Sequence, residues 1–332
     1  MMNRTPPQPA SAANAKVADH AFDRRAIPAS AQVSMRYAAD GWPLRSITWA
    51  APNGLARGSI LFMGGRGDHF EKYLETFEGW RGDGWQVESV DWRGQGGSGR
   101  VGRDPSVGHI GSFGQWIDDI ADTVADWQAR TAGPHVIVGH SMGGHLILRA
   151  LAERRIAPDA AVLVAPMSGF TAPYPDQVGL ALARLMMRLG APDRAAWKVS
   201  EKPGTPMRLR QLLLTHDDTR YEDEFWWREH DRGLELGPAS WQWVAQAYAS
   251  FMGLAQAGVV EGIRVPALFL VASADKLVSA KATKALAARM PNATTHVYGP
   301  EAAHELLREV DVVRDDALAR IAAFLAVKAP AL

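Results

Sequence analysis

The chain has 332 residues, 47% of them hydrophobic and 22% charged, which fits a globular protein with a large core and excludes a disordered one. Lysine plus arginine equals aspartate plus glutamate at 36 each, so no net field recruits nucleic acid, and none is expected as a partner. Cysteine is absent, which excludes disulfides, thiolate metal sites and cysteine nucleophiles.

The opening thirty residues, MMNRTPPQPASAANAKVADHAFDRRAIPAS, are rich in Ala, Pro and polar residues without an apolar h-region. They read as a flexible leader over 1–30 rather than a signal peptide. No later apolar run reaches the roughly 18 residues of a membrane-spanning helix, so the expectation is a cytoplasmic protein, at most peripheral to the inner membrane. VSMRYAADGWPLRSITWAAP reads as two strands about the Asp40-Gly41 turn. Short apolar runs follow: GSILFMGG, WQVESVDWRG, HVIVGHS, AAVLVAP, PALFLVAS and THVYGPE. Runs of that length suit strands covered on both faces. Helical periodicity lies between them near 70–82, 112–131, 142–154, 279–290 and 306–327. The alternation predicts an α/β fold with a mostly parallel sheet, helices on both faces, and a core over 31–167 and 260–332.

Residues 168–259 break the rhythm. They offer helix-like segments without a good strand, and so read as an inserted helical cap. The cap carries Trp197, Trp226, Trp227, Trp241 and Trp243, expected mainly to form its own core, with the lining of an apolar cavity as the other use. Helix VGLALARLMMRLG, with Met186, Met187, Arg184 and Arg188, has the composition of a peripheral membrane contact.

Gly139-His140-Ser141-Met142-Gly143 fits G-x-S-x-G, occurs once, follows the strand HVIV and precedes the helix GGHLILRALAERR. Glycine at 139 and 143 lets a sharp elbow pass close to its neighbours and leaves the Ser141 hydroxyl standing above the sheet. A serine hydroxyl needs a histidine base oriented by a carboxylate, in the chain order Ser, acid, His. Asp275 follows the strand of PALFLVASADKLVS, and His304 lies between the last strand and the final helix in THVYGPEAAHELL. An aspartate there serves as often only to cap a turn, but the three elements in the required order and context make Ser141, Asp275 and His304 the candidate triad. His140 and His145 flank the nucleophile but point elsewhere on an elbow, and His296 falls within a strand.

The oxyanion needs two backbone N–H donors. Met142, at a helix N-terminus, supplies one. The loop LFMGGRGDHF supplies the other, through Arg66 first, with Gly65 and Gly67 as alternatives. DWRGQGGSGR lacks the endings of a P-loop or a dinucleotide site and reads as a tight surface loop beside the site. Asp118 and Asp119 have no histidine at ligand spacing, so neither metal nor cofactor is expected.

On DWRGQGGSGR, GHSMGGH, APMSGF, LLLTHDDTRYEDEF and AAHELLREVDVVRDDALARIAAFL, the chain resembles the serine-hydrolase branch of the α/β hydrolase superfamily. Within it the chain is most similar to bacterial lysophospholipases related to monoacylglycerol lipases, over about residues 33–327. The resemblance implies an α/β hydrolase fold, a catalytic Ser141, Asp275 and His304, and an ester substrate carried by a single-chain lipid: lysophospholipid first, monoacylglycerol second. A general carboxylesterase, an acyltransferase using the same acyl-enzyme, and a non-catalytic binding protein on this scaffold are the alternatives. One departure stands out: monoacylglycerol lipases carry His-Gly before the oxyanion donor, whereas this chain has Met63-Gly64-Gly65-Arg66.

Overall fold

A computed structural model describes residues 22–54, 56–197 and 207–331. Eight strands form one sheet: β1 (Ala31–Tyr37), β2 (Pro43–Trp49), β3 (Ser59–Met63), β4 (Gln86–Val90), β5 (His135–His140), β6 (Ala160–Val164), β7 (Ala267–Ala272) and β8 (Ala293–Tyr298). Their order is β1-β2-β4-β3-β5-β6-β7-β8. The Asp40-Gly41 hairpin joins β1 antiparallel to β2, β2 meets β4 antiparallel, and every other pairing is parallel. Every residue of β3, β6 and β7 is buried, as the unbroken apolar runs require.

Five helices clothe the sheet: α1 (Leu74–Gly82), α2 (Phe113–Arg130), α3 (Met142–Ala152), α8 (Ala280–Ala287) and α9 (Asp311–Lys328). Four more lie between β6 and β7: α4 (Asp176–Arg188), α5 (Met207–Leu214), α6 (Asp218–His230) and α7 (Trp241–Leu254). Capping residues set several of their starts. Ser112 Oγ accepts the Gly114 N–H before α2, Asp217 the Arg220 N–H before α6, and Ser240 the Trp243 N–H before α7. One apolar cluster on one face of the sheet gathers α2, α3 and α7, with Trp116, Trp127 and Phe251 fully buried. A second on the other face gathers α1 and α9 around Phe62, Tyr73 and Phe77. Each such side chain contributes about 1.5 to 3 kcal/mol on burial, which holds the layers together.

Three expectations need correction. Residues 22–30 are packed rather than loose: Arg24 and Arg25 bind the two carboxylate oxygens of Asp223 at 2.5 and 2.6 Å, and Phe22 and Ile27 pack on the second cluster. The rest of the expected leader, 1–21, lies outside the described residues, as does 198–206 of the expected cap. Helix α6, rich in charged residues, has no apolar stripe to announce it and is held by ion pairs instead. Finally, Asp91–Arg100 is no surface loop, since Asp91, Trp92, Arg93, Gln95 and Ser98 are all buried.

Candidate functional site

The loops that follow β3, β4, β5, β7 and β8 meet above the carboxyl edge of the sheet, where parallel α/β sheets present their ligand sites. Ser141 stands between β5 and α3 with φ 49° and ψ −113°, a backbone conformation that side chains rarely adopt. Backbone bonds hold it there: its N–H donates to Val164 O at 3.0 Å, and its carbonyl accepts the N–H of His145 and of Met167, each at 3.0 Å. The elbow requires both glycines. A Cβ at Gly139 would stand 2.7 Å from Gly144 N, and one at Gly143 would stand 2.2 Å from Met63 O.

The three residues predicted to act together are brought together. Ser141 Oγ lies 2.9 Å from His304 Nε2, and His304 Nδ1 lies 2.6 Å from Asp275 Oδ2. Asp275 Oδ1 accepts the N–H of Leu277 at 2.8 Å and of Val278 at 3.0 Å, which fixes the carboxylate at the mouth of β7. Burial alone would raise the Asp275 pKa. The charge and hydrogen bond of His304, with the two amides, outweigh it and hold the carboxyl below its usual range. Burial likewise pulls the His304 pKa down, and Asp275 more than reverses this, so the imidazole sits above its ordinary 6.5.

The structure narrows the choice among the amides of the β3 loop. Gly65 N–H donates to Asp68 Oδ2 at 2.7 Å and Gly67 N–H to Gln95 Oε1 at 2.7 Å, so both are committed elsewhere. Arg66 is the one of the three that the oxyanion assignment retains. Met142 opens α3, with its amide at the positive end of the helix dipole. His140 turns away from the hydroxyl, to Asp68 Oδ2 at 3.1 Å and the Tyr73 hydroxyl at 3.0 Å. His145 is buried against Phe113 and Phe251, with Nε2 on Ser250 Oγ at 2.7 Å.

A buried charge network beside the site was not foreseen. Lys72 Nζ reaches Asp68 Oδ1 at 2.5 Å, Glu305 Oε1 at 2.9 Å and Glu224 Oε2 at 3.1 Å, joining the oxyanion loop, the residue after His304 and helix α6. Burial works against the ammonium, but these carboxylates overcome it and raise the Lys72 pKa. Only spatial proximity reveals such a cluster, because its members are scattered along the chain.

A cavity of about 740 Å³ opens onto Ser141 and His304. Its apolar wall includes Met167, Phe170, Leu182, Trp241, Trp243 and Val244, and its polar end includes Asp68, Lys72, Arg210 and Glu305. The cap tryptophans therefore divide. Trp197, Trp241 and Trp243 line the cavity, and Trp243 also belongs to the first apolar cluster, with Trp241 packed against it, so the core and lining uses coincide there. Trp227 donates to Arg24 O, and Trp226 stacks on His230.

The family model described as serine aminopeptidase, S33 matches residues 54–311. Among relatives, a probable lysophospholipase L2 of Haemophilus influenzae is 28% identical over 278 residues, covering 83% of this chain and 86% of the relative. Lysophospholipase L2 of Escherichia coli is 28% identical over 279 residues, covering 80% and 79%. Among solved structures, a soluble variant of monoglyceride lipase from Saccharomyces cerevisiae superposes with a TM-score of 0.70 at 16% identity, over 92% of this chain and 98% of that one, a likeness of fold.

Proposed function

From a chain that belongs to the serine aminopeptidase, S33 family, we propose a serine hydrolase that cleaves the carboxylic ester of a single-chain lipid, a lysophospholipid first and a monoacylglycerol second. The observation that carries the reading is the hydrogen-bonded series Ser141–His304–Asp275 opening into the apolar cavity. The relatives named lysophospholipase support the head-group preference.

In the proposed reaction Ser141 Oγ attacks the acyl carbonyl while His304 Nε2 takes the hydroxyl proton, and Asp275 steadies the imidazolium that results. The amides of Met142 and Arg66 receive the oxyanion. His304 then gives its proton to the departing glycerol oxygen, and the C–O bond breaks to leave the acyl group on Ser141. Water, deprotonated by the same imidazole, attacks this ester; collapse returns the proton to Ser141 and releases the fatty acid.

The enzyme meets its lipid at a bilayer surface in this reading, by a peripheral contact. Val178, Leu182, Leu185 and Leu189, one stripe along and just beyond α4, are each between 44% and 71% exposed, and Arg184 and Arg188 stand beside them. Leu182 also lines the cavity, which makes the stripe continuous with the route to Ser141. Among the described residues no helix is long and apolar enough to cross a membrane.

The test is fatty acid release from lysophosphatidylcholine and from monoacylglycerol in parallel, with Ser141→Ala as control. Release from the first that vanishes in the variant supports the reading. Cleavage of a short nitrophenyl ester alone would remove the lipid substrate while keeping the hydrolase.

A further inference from the structure

The buried loop Asp91–Arg100 has no part in the reaction as drawn above, yet it grips the oxyanion loop. The peptide joining Gly64 to Gly65 is held at both ends: its carbonyl accepts the Trp92 indole N–H at 2.8 Å, and its N–H donates to Asp68 Oδ2. The Gly65 carbonyl accepts the Asp68 N–H at 3.4 Å, closing a four-residue turn with Arg66 and Gly67 at its centre. Gly67 has φ +76° while Arg66 is not at positive φ, the signature of a type II turn.

Type II and type I turns differ chiefly by a flip of the central peptide, and glycine at the third position is compatible with both. Here that peptide joins Arg66 to Gly67, and its N–H is held by Gln95 Oε1 at 2.7 Å. Gln95 is 2% exposed, and its Nε2 faces Met142 Sδ at 3.9 Å. One side chain therefore touches the turn that carries the Arg66 amide and also the residue that supplies the other proposed donor. In a trans peptide the carbonyl is antiparallel to the N–H, so the Arg66 oxygen now points away from Gln95. A flipped turn would direct that oxygen at Gln95 Oε1 in place of the N–H, so two acceptors would face each other and the turn that carries the Arg66 amide would lose its anchor.

We infer that Gln95 is a positioning residue for the oxyanion hole, which selects the competent turn by accepting the Gly67 N–H. The inference rests on the assignment of the Arg66 and Met142 amides in the proposed function. Its contribution is to preorganisation, so its loss falls on the transition state rather than on substrate binding.

The experiment compares wild type with Gln95→Met, which keeps the length but loses the acceptor. A soluble nitrophenyl ester is the substrate, a trifluoromethyl ketone mimics the tetrahedral adduct, and the product fatty acid reports ground-state binding. For Gln95→Met, kcat is expected to fall about 30- to 100-fold with KM nearly constant, and ketone affinity to weaken by the same factor while fatty acid affinity holds. Gln95→Met within about twofold of wild type in kcat and ketone affinity would overturn the inference. Should Gln95→Met fail to fold, Gln95→Asn shortens the side chain by one methylene and draws the acceptor away from the Gly67 N–H. It is expected to lower kcat and ketone affinity together by about tenfold, and unchanged values overturn the inference equally. A wild type without Ser141-dependent hydrolysis would remove the proposed function itself; a hydrolysing wild type with an unaffected Gln95→Met removes only the part given to Gln95.

Discussion

Ser141 Oγ and His304 Nε2 stand 2.9 Å apart although 163 residues separate them in the chain, and His304 carries Asp275 on its other nitrogen at 2.6 Å. Since Asp275 lifts the imidazole above its ordinary 6.5, the neutral base becomes available only at higher pH. The acid limb of kcat/KM is therefore expected above pH 6.5. Asp275→Asn should move the limb down and lower kcat by roughly 10⁴-fold. A wild-type limb at or below 6.5 contradicts the pairing. The linked stability runs the other way: the contribution of the raised imidazole is complete below its unfolded value and is lost as pH rises through the folded one.

The backbone of Ser141 is held at φ 49° and ψ −113° to present its hydroxyl, and such a conformation costs about 1 to 3 kcal/mol. Glycine relieves most of this while adding about 0.4 to 1 kcal/mol of unfolded-state entropy. Ser141→Gly should be inactive yet more stable than Ser141→Ala by about 1 kcal/mol in urea unfolding. Equal midpoints would mean that the relieved strain only matches the entropy cost of glycine, and a Ser141→Gly less stable than Ser141→Ala would mean the elbow stores none.

Lys72 balances three buried carboxylates from different parts of the chain. Lys72→Met leaves them facing one another without their shared cation, so the free energy of unfolding should drop by about 3 to 5 kcal/mol. A loss below about 1 kcal/mol would show that the remaining arginines compensate.

What could be read from the sequence and what could not divide along a physical line. The elbow around Ser141, the apolar strands and the hairpin at Asp40-Gly41 are local patterns, each set by residues adjacent in the chain. The position of Asp275 and His304 after late strands follows from strand order alone. The packing of 22–30 on α6 depends on Arg24, Arg25 and Asp223 meeting across almost two hundred residues, and the Lys72 network is similarly non-local. Asp91–Arg100 misled because its charged and glycine residues have the composition of a surface turn. Its polar groups are instead consumed internally, Arg93 by Asp40 and Asp119, and Asp91 by Arg45 and the Gly97 amide.

If the α4 stripe rests on a bilayer, Arg184 and Arg188 add about 1 kcal/mol each of attraction to anionic lipid. Replacing both with glutamine should weaken co-sedimentation with anionic vesicles roughly tenfold or more, and less so at high salt. Unchanged binding would remove the bilayer contact.

The acyl-enzyme on Ser141 is the centre of the account, and its most direct test is covalent capture. Intact protein would be treated with a fluorophosphonate and digested, and the modified peptide identified by mass spectrometry. The expected result is one adduct on the peptide containing Ser141, slowed at least a hundredfold in His304→Ala and absent in Ser141→Ala. An unlabelled Ser141 in folded protein that still hydrolyses esters, or an adduct on another residue that accounts for the activity, would contradict it.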